Sequence, residues 1–279
     1  MKLLLSPIKK ILDFIILSNI FISVCVAFFT LQTALIFPKY SEHILQFILP
    51  NFIATFVLYN IQRLYYAAIL KDTIKYNWYN KNRRLIFTLI ILAIFCSFNF
   101  LWNFFLENLQ VLFLYIGLTF LSLFYFLPPF QLRNNGLLKP FIIAFVFIFT
   151  SVVLPLISEF DKSVFIYAIG QFCFISALCL LFDIRDVEND SVAKLVTLPI
   201  KLGIANTKYI TIILVLIYLA TAFLMSNTNF LITSIVIVSL SVLLTLMAKP
   251  NRHNYFYLFL VDGCIIIQSI LIIFFEGRD

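Results

Sequence analysis

Charge is scarce in this sequence. Asp, Glu, Lys and Arg make up 12% of the 279 residues while 63% are hydrophobic, which excludes an ordinary soluble domain, where about 25% are charged. The short alternating segments of a membrane β-barrel are missing as well, and the apolar runs reach the ~20 residues that a helix needs to cross a hydrocarbon core. The five cysteines (Cys25, Cys96, Cys173, Cys179, Cys264) form no CxxC pair and have no histidine nearby, so they read as small core residues rather than a zinc or disulfide framework. No small-residue cleavage site follows MKLLLSPIKK, and the apolar run reaches Phe37, too long for a signal peptide; it reads as a retained first span. No internal repeat with matched broken helices appears, which argues against a transporter.

What is present is a series of apolar helices, expected at about 11–36, 44–70, 85–106, 109–127, 137–158, 163–182, 207–226, 229–248 and 255–275. This predicts an all-α integral membrane protein, one domain over 1–279, with about nine transmembrane helices around a central cavity open to the cytoplasmic side. Seventeen of the 20 Lys and Arg fall on one side, with Lys39, Lys162 and Arg278 on the other. That asymmetry puts the N-terminus in the cytoplasm and the C-terminus outside, in an inner or plasma membrane. His43 and His253 then lie on opposite sides and share no metal. The +7 net charge follows from the same topology rule and calls for no nucleic acid.

The sixth expected span ends in LFDIRDVEND, which gathers four of the 13 acidic residues: Asp183, Asp186, Glu188 and Asp190. If the helix continues to Asp190, steps of three and four residues bring Asp183, Asp186 and Asp190 into one arc at about 100° per residue, with Arg185 and Glu188 elsewhere. Two readings fit. Carboxylates at a membrane surface suit Mg²⁺, which takes oxygen ligands and shares them with substrate phosphates. Alternatively, the stretch is a solvated acidic end of a helix, paired with Arg185 and Lys194.

After the fourth span, FYFLPPFQLRNNGLLKP breaks at Pro128 and Pro129 and turns at Asn134, Asn135 and Gly136, with Tyr125 and Arg133 bracketing the break. Pro155 predicts a kink in the fifth span. The 34 phenylalanines fit a lipid-facing surface, and some a tunnel for a long lipid.

The segment from Asp183 to Gly203, DIRDVENDSVAKLVTLPIKLG, resembles the second aspartate motif of the UbiA superfamily of intramembrane prenyltransferases: DxxDxxxD, a basic stretch with Lys194, then a TLP-x-x-LG-like sequence. The expected spans and the Tyr125, Pro128, Pro129, Arg133 segment are similar to that family's layout. The resemblance implies Mg²⁺ held by Asp183, Asp186 and Asp190, which also serve catalysis. An isoprenoid diphosphate would be held with help from Asn60, Arg63, Tyr125, Arg133 and Lys194, and its prenyl group passed to an aromatic or other lipophilic acceptor within the bilayer.

The family's first motif, NDxxDxxxD, falls at LYNIQRLYYAA. Asn60 matches its asparagine, but Ile61, Leu64 and Ala68 replace the three aspartates. Arg63, Gln62 and Asp72 lie near the vacated place, with Arg63 as a phosphate contact or as a surface anchor of the span. The alternative that follows is a non-catalytic isoprenoid- or lipid-binding membrane protein that kept the fold.

Overall fold

The structure is a computed structural model that describes residues 2–69, 74–250, 252, 253 and 255–276; Lys71, Asp72 and Arg278, named or counted above, lie outside them. The regular elements among the described residues are all helical, with no strand among them.

The first expected span is two helices, α1 (Lys2–Leu17) and α2 (Ile20–Ile36), bent by 65°. The break is at Asn19, whose φ of 60° is the left-handed conformation that Asn tolerates better than most residues. A second bent pair follows: α3 (Ser41–Leu45) and α4 (Ile48–Ile69). Next come α5 (Ile74–Lys81), α6 (Arg83–Glu107) and α7 (Leu109–Phe126).

The fifth span begins as α8 (Lys139–Ile148) and changes to a π-helical turn at Phe149–Val153 and a 3₁₀ stretch at Leu154–Glu159. Pro155 explains the change, since a proline removes a backbone donor from the ladder. Leu154 N–H reaches back to the Phe149 carbonyl. In the same register the Thr150 carbonyl would face the nitrogen of Pro155, which has no hydrogen. Asn51 Nδ2 of α4 donates to that carbonyl instead, at 3.1 Å, and to Thr30 Oγ1 at 2.9 Å, while Tyr115 of α7 donates to Asn51 Oδ1 at 2.6 Å. One asparagine thus joins four spans.

The chain continues as α9 (Lys162–Val192), α10 (Leu198–Leu202), α11 (Ile204–Leu224), α12 (Thr228–Met247) and, after a π-helical stretch at Phe256–Val261, α13 (Asp262–Glu276). Asp161 starts α9 by accepting the Val164 N–H at 2.8 Å. That bond and the Ser163 hydroxyl hold its carboxyl below the usual carboxylate range. Among the described residues, six helices are long and apolar enough to cross a membrane, eight if each bent pair is one span; α6 occupies the place of the remaining expected span. Large apolar side chains such as Phe95, Phe98, Phe113 and Phe223 are more than half exposed, as a lipid-facing surface requires. The chain is a multi-pass integral membrane protein.

α9 is the span the others surround: 72% of its apolar window is buried, against 22% for α7. Its closest neighbour is α11, which a Cβ on Gly170 would strike at Thr221 Oγ1, 2.0 Å away. Gly170→Val is therefore expected to destabilise the protein by about 1–3 kcal/mol through overpacking, read as a lower midpoint of thermal unfolding in detergent.

Candidate functional site

A cavity of about 270 Å³ lies between α2, α4, α7, α8 and α9. Its lining combines apolar side chains, among them Ile22, Val26, Ile142, Val146, Phe147 and Ile175, with the polar Asn51, Thr55, Tyr115, Thr119 and Ser122. At one end polar and charged groups converge: Tyr59, Gln62 and Arg63 of α4, Tyr125 of α7, Arg133 and Lys139, Asp183, Arg185 and Asp186 of α9, and Asp262 of α13.

The acidic run sits where its spacing predicts, on a helix unbroken to Val192. Asp183 and Asp190 are 1% and 3% exposed, while Glu188 is exposed. Asp183 and Asp186 line the cavity. Each of the three carboxylates has a cation beside it. Lys139 Nζ is 2.6 Å from Asp183 Oδ1 and 3.4 Å from Asp190 Oδ2. Arg185 reaches its neighbour Asp186 through two hydrogen bonds, Nε to Oδ1 at 2.7 Å and Nη2 to Oδ2 at 2.9 Å, and its guanidinium lies over the rings of Phe182 and Tyr257. Asp183 Oδ2 is buried with no hydrogen-bond partner.

Lys139 was legible in the sequence only as one more basic residue of the surface. Its position explains its role: it is the first residue of α8, 7% exposed, and a cation buried at a span end needs an anionic partner. Two loops bring it to α9. Gly136, before α8, lies so close to the segment after α9 that a Cβ would meet the Val196 carbonyl oxygen at 2.6 Å and Thr197 Cγ2 at 2.8 Å. The TLP segment thus supports the site by packing. Asp262, at the head of α13, is a second cavity residue that the sequence motifs do not mark.

Of the expected donor-site residues, Arg63, Tyr125 and Arg133 line the cavity. Arg63 Nε is buried without a hydrogen-bond partner, and the Arg133 guanidinium lies 4.6 Å from the Tyr66 ring centroid. Asn60 and Lys194 are not in the lining. Asn60 is fully buried and donates to the Ser18 and Phe56 carbonyls at 2.9 and 2.8 Å, while its Oδ1 accepts from Asn19. Tyr79 completes the group by donating to the Leu17 carbonyl. Asn60 therefore holds the break of the first span. Lys194 is exposed in a left-handed turn beyond the end of α9.

The replaced positions of the first motif do not face the cavity either. Ile61 and Leu64 pack on Ala67, Tyr79, Ile86 and Ile90, toward α5 and α6, and Ala68 is exposed. Among the described residues no three Asp, Glu, His or Cys side chains converge as a metal-ligating group. With Asp186 held by Arg185 and Asp183 by Lys139, the donor set does not fit a Mg²⁺ resident on three carboxylates.

The fold as a whole matches the solved structure described as digeranylgeranylglyceryl phosphate synthase in membranes, with a TM-score of 0.55 and 14% identity over 96% of this chain and 98% of that one. No curated protein matches the sequence. Residues 80–260, well over half the chain, match the UbiA prenyltransferase family, and the chain belongs to that family.

Proposed function

We propose that this protein is an intramembrane prenyltransferase that takes an isoprenoid diphosphate at the charged end of the cavity and passes its prenyl group to an aromatic or other lipophilic acceptor. The observation that carries this reading is the convergence of Arg63, Arg133 and Lys139 at the mouth of an otherwise largely apolar cavity. A diphosphate needs fixed positive charge, and arginine supplies it with paired donors. The isoprenoid chain needs the apolar lining. Asp183 and Asp190 orient Lys139, Asp186 orients Arg185, and any Mg²⁺ accompanies the diphosphate as its counter-ion. Tyr59 and Tyr125 offer aromatic faces to the positive charge that develops on the allylic carbon as the diphosphate leaves. We place the charged end, and the N-terminus, in the cytoplasm of an inner or plasma membrane, with 1–279 acting as one domain.

A second reading, a lipid-binding protein without turnover, is favoured by Ile61, Leu64 and Ala68, which stand at the places of the first motif's aspartates and do not line the cavity. Incubating the purified protein in detergent with an allylic diphosphate, Mg²⁺ and lipid extract separates the two. Release of diphosphate with a prenylated product supports the enzyme; binding without release supports the second reading. Arg63→Ala is expected to weaken binding of a diphosphate analogue by about 1.5–3 kcal/mol, the range for a hydrogen bond to a charged group. Arg63→Lys should lose part of that, keeping the charge without the paired geometry. Unchanged binding in Arg63→Ala makes the residue a surface anchor.

A further inference from the structure

We propose that the ammonium of Lys139 is the resident cation of the Asp183 and Asp190 carboxylates, standing where a bridging divalent metal would stand, and that it presents a fixed positive charge to the donor's diphosphate. The second half rests on the donor reading given above; the first does not.

Three independent observations carry it. Lys139 Nζ bridges the two carboxylates, which lie two helical turns apart on α9, at 2.6 and 3.4 Å, and all three residues are at least nine-tenths buried. A divalent ion in that place would have to displace the ammonium, and the Lys139 backbone is anchored beside α9: its N–H is bonded to the Asn135 carbonyl at 3.1 Å, Pro140 follows it, and Gly136 is pressed against Val196. The remaining ligands are committed elsewhere. Asp186 is held at both oxygens by Arg185, and Ile61 and Leu64 turn toward α5 and α6. Among the described carboxylates of α9 only Asp183 Oδ2 is buried and unpartnered, and with Asp262 counted no three acidic, His or Cys side chains converge as a metal-ligating group among the described residues, leaving too few oxygens for Mg²⁺ without substrate. Lys139 also lines the cavity, and an ammonium has three donors, so a phosphate oxygen can be held while both carboxylates stay in contact.

Two measurements on the full-length protein in detergent test this. Mn²⁺ uptake without substrate, followed by electron paramagnetic resonance, should be absent at micromolar Mn²⁺ in the wild type and appear in Lys139→Met, which keeps the length of the side chain and removes its charge. Binding of a non-hydrolysable farnesyl thiodiphosphate to the wild type should persist in EDTA, with Mg²⁺ strengthening it by less than about tenfold. In Lys139→Met it should fall by about tenfold or more in EDTA and recover with Mg²⁺, a reversal that a purely structural lysine does not produce. Mn²⁺ uptake by the substrate-free wild type, or loss of wild-type analogue binding in EDTA, overturns the proposal; both use the wild type and stand even if the variant does not fold. Absence of analogue binding under every condition refutes the donor reading, while the Mn²⁺ measurement still decides which cation the carboxylates hold.

Discussion

Asp183→Ala is expected to destabilise the protein by about 3–5 kcal/mol, the range for breaking a buried ion pair from one side. The substitution leaves Lys139 buried with only Asp190, at 3.4 Å, as its remaining carboxylate. A lower unfolding midpoint in detergent and loss of diphosphate-analogue binding are the expected results. Asp183→Asn keeps an acceptor for Lys139, so it should recover part of the stability while the charge balance of the mouth stays altered. Glu188→Ala should leave both properties unchanged, since Glu188 is exposed on another face of α9. Equal losses at positions 183, 186 and 188 are the outcome that refutes a geometric role and makes the acidic run a diffuse field.

The second large effect concerns the first motif. Returning aspartates to it, as Ile61→Asp with Leu64→Asp, is expected to destabilise the protein by at least about 2 kcal/mol and to add no divalent-cation affinity. Both side chains pack on Ala67, Tyr79, Ile86 and Ile90, so the new carboxylates would be set among apolar neighbours on the side of α4 turned away from the cavity. Calorimetry with Mg²⁺ and the unfolding midpoint together check this. New Mg²⁺ binding in the double variant would mean that α4 can rotate to present these positions to the cavity.

The difference between these two cases shows where the sequence was informative. The acidic run lies on a single helix unbroken to Val192, so spacing put Asp183 and Asp190 where Lys139 meets both, but it set Arg185 elsewhere on the circumference although Arg185 lines the cavity and holds Asp186. The face that α4 presents to the cavity was not legible in the same way, because nearly every side of that helix is apolar and motif alignment was the only guide. That guide marked Asn60, whose side chain is engaged by the Ser18 and Phe56 carbonyls, and passed over Tyr59, which lines the cavity. The break at Asn19 was hidden for another reason. No proline or glycine marks it, and its left-handed backbone is held by Asn60 and Tyr79, residues 41 and 60 positions away. Pro155 did announce its kink, but the π-helical form of the kink depends on Asn51 of another span. Lys139 was visible as a charge and invisible as a partner, since the contact that defines it joins residues 44 and 51 positions apart in the chain.

Gly136 has a bearing on traffic into the cavity. The loop before α8 and the loop after α9 touch there with no room for one methyl group, so neither can move without the other. Moving them would also shift the start of α8, where Lys139 meets Asp183. For the isoprenoid donor proposed above, entry sideways from the bilayer between helices is the route that would leave this packing undisturbed.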